Sequence, residues 1–223
     1  MLKIFGVPFS VHVRKTLAAA RLKGIAFNNE PVVPFNPPAD WRRLSPSGLI
    51  PAISHDGFTL ADSAAICAYL ERLNPSPSLY PADARAFAHA LWLEQYAGQV
   101  LFRQVVHPLF FQKIIRPHIL KQGGPDEAVV EKVLQAEAPA IFDYLEAEAA
   151  AGRLFSGSPD IASISVTSNL LNYCYLGHRI DTRRNRKLTD GFHAILRSEP
   201  FAALVEAEEP FVSQMGLDRS FLN

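Results

Sequence analysis

Cysteine is scarce in this chain: only Cys67 and Cys174 occur, and they form no CxxC pair. Two isolated thiols exclude a disulfide-stapled scaffold and fit a reducing compartment. Both sit in apolar helical patterns, which reads as buried structural thiols. Net charge is missing as well, because 22 Lys and Arg balance 22 Asp and Glu. No overall field therefore draws the chain to a polyanion or a membrane surface. The short basic run Arg183–Lys187 reads as a solvated loop between helices. No apolar run approaches the ~20 residues of a membrane span. The opening "MLKIFGVPFS" is broken by Gly6 and Pro8 too early for a signal peptide. These absences predict a soluble, cytoplasmic protein with no nucleic-acid or membrane partner.

Several chemistries lack their residues. None of the seven histidines pairs at HxxxH or HxxEH spacing, so no metal is expected. His12, His89 and His107 read as surface or core residues. GxGxxG, GxxxxGK[ST] and the GxSxG of a serine hydrolase are all missing.

What is present is a change of pattern along the chain. Leu2 to Phe5 reads as a short strand, and from about Ser10 the apolar positions Val13, Leu17 and Ala20 share a helical face until Gly24. Residues 25–35 read as a strand, which Pro34, Pro37 and Pro38 then break; "DWRRL" makes one helical turn. "IPAIS" and "FTL" are strands joined at His55-Asp56-Gly57. Asp62 or Ser63 then caps a helix with Ile66, Tyr69, Leu70 and Leu73 on its apolar stripe. The order is β-α-β-α-β-β-α over residues 1–75.

"NPSPSLYPAD" is a linker by composition, and residues 84–223 read as helix throughout. Pro108 is expected to kink or divide the first long helix, and Pro139 to interrupt the second. "PDIASISVTSNLLNYCYLG" is apolar nearly all round and reads as a central, buried helix. Two shorter helices follow, near Leu188–Arg197 and Pro200–Glu208.

Three places carry possible chemistry. Asp62-Ser63 at a helix start offers free N–H groups for a carboxylate and an acid for an ammonium group, the two charges of an α-amino-acid head; a plain cap explains it equally. Pro51 suits the first residue of a strand, and a cis Ile50-Pro51 bond would turn the preceding backbone outward to pair with an extended ligand. Ser10 at the start of a helix can donate to a thiolate or simply cap the helix.

In this order, "SPSGLIPAISHDGFTLADSAAICAYL" and "FGVPFSVHVRKTLAAARLKGI" resemble the corresponding segments of cytosolic glutathione transferases, in the branch that uses serine. The resemblance covers the whole chain. It implies a thioredoxin-like N-terminal domain over 1–75, an all-helical domain over 84–223, a homodimer, and glutathione as co-substrate. It further implies that Ser10 activates the thiol, that Ile50 and the cis-proline Pro51 pair with the cysteinyl backbone, and that Asp62 and Ser63 hold the γ-glutamyl head. The implied activity is conjugation of hydrophobic electrophiles in detoxification, with peroxide reduction as a further possibility. A non-catalytic binding or scaffold protein of the same fold and a glutathione-dependent disulfide reductase are the alternatives. Phe9, Phe102, Val106 and Phe110 are the candidate walls of the electrophile pocket. Three departures stand out, one of them Phe9 beside Ser10, bulky for the active-site loop. Leu49 occupies the place where relatives carry Lys or Gln toward the glycine carboxylate, with Arg42, Arg43 or Asn36 as substitutes. Asp160 and Ser163 reverse the family's cap order, with the helix start expected to survive.

Overall fold

In the computed structural model, which describes residues 1–222, strand β1 (Leu2–Phe5) alternates so that Leu2 and Ile4 enter the core. Helix α1 (Val11–Leu22) follows and ends before Gly24, whose φ of +62° suits a residue without Cβ. Strand β2 (Phe27–Glu30) runs parallel to β1. It is shorter than the sequence predicts because Pro31 has no N–H for the ladder. A single turn, α2 (Trp41–Leu44), leads to β3 (Ala52–His55) and β4 (Phe58–Ala61), joined by Asp56 and Gly57, both at positive φ. The sheet order is β2-β1-β3-β4, with β3 antiparallel to both neighbours. Helix α3 (Ser63–Leu73) packs beside α1. This is a thioredoxin-like sheet, and everything beyond it is helical.

Helix α4 (Ala84–Tyr96) is capped by Asp83, which accepts from the N–H groups of Arg85 and Ala86. Its path continues through wider turns over Ala97–Val106, then α5 (His107–Phe110), then wider turns over Phe111–Ile119. The wide turns explain how Pro108 is accommodated. The His107 N–H reaches back five residues to Phe102 O, so the hydrogen-bond register shifts just before the proline. Pro108 then occupies the first turn of α5, where no N–H is required. The same device recurs between α6 (Glu127–Lys132) and α7 (Ala138–Ala150): Ala138 N–H bonds Val133 O, and Pro139 starts α7. Neither proline ends its helix; each marks a change of register within it.

Helix α8 (Ile161–Tyr175) is buried at every residue. Its reversed cap works with the roles exchanged: Asp160 Oδ1 accepts from Ser163 N–H at 2.8 Å, and Ser163 Oγ accepts from Asp160 N–H at 2.8 Å. Helices α9 (Arg186–Leu196) and α10 (Glu199–Gln214) close the bundle. Helix α1 packs on α8 and α10, so the helix that begins at Ser10 is held by both halves of the molecule.

Glu148 on α7 ties the helical domain together. Its carboxylate accepts from Arg153 at 2.8 and 3.0 Å and from His89 of α4 at 2.6 Å. The Arg153 hydrogen bonds, more than the His89 contact, hold its pKa down at about 2 from an ordinary 4.5. A depressed carboxylate stabilises the fold above its unfolded pKa, and that contribution fades as pH falls toward its folded one. We expect Glu148→Gln to flatten the acid-induced loss of stability between about pH 4.5 and 2. Chemical denaturation at several pH values checks this; identical acid limbs for both proteins would refute it.

Candidate active site

The turn after β1 is set by Gly6. Its φ is +137°, and a Cβ there would lie 2.5 Å from Val13 Cγ2 and 3.1 Å from Ile50 Cβ. Only glycine permits this approach, which lays the loop before Ser10 against the loop before Pro51. Ser10 is the N-cap of α1, with extended φ/ψ of −64° and 130°, and its carbonyl accepts from Arg14 N–H at 2.8 Å. An N-cap serine ordinarily turns its hydroxyl back to the first-turn N–H groups. Among the described residues the Ser10 hydroxyl makes no such bond. The hydroxyl and the first-turn N–H groups are therefore uncommitted at the positive end of a helix.

The Ile50–Pro51 peptide bond is cis. Register sets it just beyond the end of β1, since Phe5 at the end of β1 pairs with Ala52 at the start of β3. Asp62 caps α3, its Oδ1 accepting from Ala64 and Ala65 N–H at 2.9 and 3.1 Å. Its φ is +82°, unusual for a residue with a side chain, and such strain clusters at functional sites. Ser63 is the first residue of α3.

Between these loops and the α4 helical path lies a cleft of ≈580 Å³. Leu49, Ile50, Pro51, Asp62 and Ser63 form one wall, and Phe102 and Arg103 form part of the other. His12 and Lys15 reach in from α1. Lys15 pairs with Glu94 of α4 at 2.7 Å, both almost wholly buried. His12 packs edge-on against Phe102, with ring centroids 4.7 Å apart. Burial, followed by the nearby Lys15 charge, lowers its pKa to about 4, so the imidazole is neutral at pH 7. Arg103 forms no ion pair among the described residues.

Of the sequence-derived candidates, Ile50, Pro51, Asp62, Ser63 and Phe102 line this cleft, while Ser10 is half-buried and is not among its lining residues. Three expected wall residues turn elsewhere. Phe9 is 3% exposed and packs against Phe110, Tyr175 and Phe211, with centroids 5.2 to 5.7 Å apart. Val106 is core, and Phe110 belongs to the Phe9 cluster. Their apolar character serves the junction of the two halves, not the cleft. Residues that sequence reading missed are His12, Lys15, Gln95, Gln99 and Arg103. The last three are polar at four-residue spacing in an apolar helix, a signal that was there to be read.

Both cysteines are buried, and burial is the chief cause that raises each thiol to about 12, so neither supplies a thiolate. A larger open groove of ≈1110 Å³ runs between α9, α10 and the C-terminal turn. It is lined by side chains of mixed charge and holds no counterpart of the helix-start geometry at Ser10 and Asp62.

Residues 9–73 match the family model described as glutathione S-transferase, N-terminal domain. Glutathione S-transferase 3 of Zea mays is 33% identical over 161 residues, 70% of each chain. The probable glutathione S-transferase GSTF2 of Oryza sativa subsp. japonica is 27% identical and covers 79% of this chain and 81% of its own. A glutathione S-transferase structure from Rhodospirillum rubrum superposes with a TM-score of 0.82 at 22% identity, covering 92% of this chain and 91% of that one, a likeness of fold. The apo structure of glutathione S-transferase III gives 0.75 at 27% identity, over 92% and 96%.

Proposed function

Because the chain belongs to the glutathione S-transferase family, we propose that it conjugates glutathione through its sulfur to hydrophobic electrophiles, with Ser10 holding the sulfur as thiolate. The observation that carries this reading is the uncommitted Ser10 hydroxyl at the N-terminus of α1, in a chain whose preceding turn at Gly6 lies against Ile50 of the cis Ile50–Pro51 bond. Glutathione would lie extended along Ile50, its γ-glutamyl ammonium on the Asp62 carboxylate and its carboxylate on the N-terminus of α3 at Ser63. The electrophile would enter past Phe102. The same thiolate would serve peroxide reduction.

Two buried, unpaired cysteines support a reducing, cytoplasmic setting. The exposed aromatics Phe87 and Trp92 on α4 support assembly as a homodimer. Retention on immobilised glutathione together with turnover of an activated aryl halide tests the proposal. Absence of both retention and turnover would favour a scaffold, and turnover of a mixed disulfide alone would favour a reductase.

Leu49 bears on affinity. It lines the cleft yet is 66% exposed, and it offers the glycine carboxylate no side-chain donor. Arg42 is engaged with its own loop, donating to Pro46 O at 3.1 Å and lying against Gly48. A partly desolvated, charge-assisted bond is worth roughly 1.5–3 kcal/mol, about ten- to a hundred-fold in affinity. At so exposed a position the low end of that range applies, and Leu49→Gln should tighten glutathione binding in calorimetry by about ten-fold without moving the thiol pKa. Unchanged affinity would mean that another group already holds the carboxylate. Weakened affinity would mean that Leu49 supports the loop.

A further inference from the structure

The carbonyl groups around Ser10 are all engaged. Phe9 O accepts from Asn172 Nδ2 of α8 at 3.2 Å and from Arg14 Nη2 at 3.2 Å. Ser10 O accepts from Arg14 N–H at 2.8 Å. Val11 O accepts from Ser168 Oγ of α8 at 2.7 Å. Three consecutive peptide planes are thus fixed, which fixes φ and ψ of Ser10 and leaves only its side-chain rotation free. Arg14 is itself immobilised: Nη1 donates to Ser168 O at 2.8 Å, and Nε and Nη2 donate to the two carboxylate oxygens of Glu208 on α10 at 2.6 and 2.8 Å. Both side chains of this pair are wholly buried.

Stability alone is a poor reason for such an arrangement. A buried ion pair contributes little over well-packed apolar residues, because both charges lose their water. The polar face of α8 also carries a penalty, since Asn172 Oδ1 is buried with no hydrogen-bond partner among the described residues. Apolar side chains would fill the same space more cheaply.

We propose that the helical domain positions the Ser10 hydroxyl, with Asn172 and Ser168 of α8 as positioning residues that hold the carbonyls on either side of it and the Arg14–Glu208 pair as their brace. The proposal rests on the reading of Ser10 as the thiol-activating group. It makes the helical domain a determinant of thiol chemistry as well as a wall for the electrophile.

The test uses Asn172→Leu, Ser168→Ala and Ser168→Thr, each alone and with Ser10→Ala. Asn172→Leu removes an unpartnered buried oxygen along with one donor, so a purely structural role predicts an equal or higher melting temperature and unchanged catalysis. Positioning predicts that the melting temperature holds, glutathione affinity stays within about two-fold, and kcat falls about ten-fold with a raised thiol pKa, the scale of a small misplacement of a reacting group. Ser168→Ala should act likewise, and Ser168→Thr, which keeps the hydroxyl, should restore wild-type values. If the residues act through Ser10, adding Asn172→Leu to Ser10→Ala costs nothing further. Additive losses would overturn the proposal. Wild-type kcat and thiol pKa in both Asn172→Leu and Ser168→Ala, beside an impaired Ser10→Ala, would overturn it alone. An unimpaired Ser10→Ala would overturn the serine reading and this proposal with it.

Discussion

Ser10→Ala is expected to lower kcat for an activated aryl halide by about 10²-fold or more, the usual consequence of removing a donor aimed at developing negative charge. The fold should be unaffected. A cap serine normally contributes about 1 kcal/mol through its side-chain bond, but the Ser10 hydroxyl makes no cap bond among the described residues. The large effect follows from the thiol. A free thiol has a pKa near ~8.5, and lowering it by about two units requires ~2.7 kcal/mol of preference for the thiolate. A hydroxyl donor and the open end of α1 would together supply that preference. Steady-state kinetics checks it. Conjugation near the wild-type rate would move the role to His12, which lines the cleft as a neutral donor, or to the free N–H groups of α1.

Glu208→Ala should cause the largest loss of stability. It leaves the wholly buried Arg14 guanidinium without its carboxylate, and an uncompensated buried charge costs about 3–5 kcal/mol. The damage should spread, because Arg14 also holds Phe9 O and Ser168 O. Replacing both partners by apolar residues, as in Arg14→Met with Glu208→Leu, should recover most of that loss, since neither charge then remains to be desolvated. Urea denaturation of the three variants decides the matter. A single variant as stable as wild type, or a double variant no better than the single one, would show that the pair is not coupled as its geometry implies.

The N-terminal half was legible from sequence because its signals are local. Strand alternation at Leu2 and Ile4, the turn at Asp56-Gly57 and the cap at Asp62 each require only neighbouring residues. The helical half was legible in outline but not at its prolines. A proline reads as a break only if the hydrogen-bond register stays fixed, and at Pro108 and Pro139 the register shifts instead. The strand expected over 25–35 stopped at Glu30, and Pro31 was the residue that should have ended it.

Within the site, the residues that resemble the family motif came together around one cleft, apart from Ser10, which is not among its lining residues. Of the apolar wall candidates, Phe102 lines the cleft, while Phe9, Val106 and Phe110 pack elsewhere. Phe9 and Val106 look like wall residues only while the partner helices are unknown; α8 and α10 take them into the core. The Arg14–Glu208 and Lys15–Glu94 pairs join residues 194 and 79 positions apart. No local pattern announces a contact of that kind.

Ser10 is proposed above all to set the charge state of bound glutathione. Titrating the ultraviolet absorbance of the thiolate in the glutathione complex, for the wild type and for Ser10→Ala, measures this without an electrophile. The account predicts a wild-type pKa about two units below the free thiol's ~8.5 and a Ser10→Ala value returned most of the way toward it. The same pKa in both proteins, or no depression in the wild type, would contradict it.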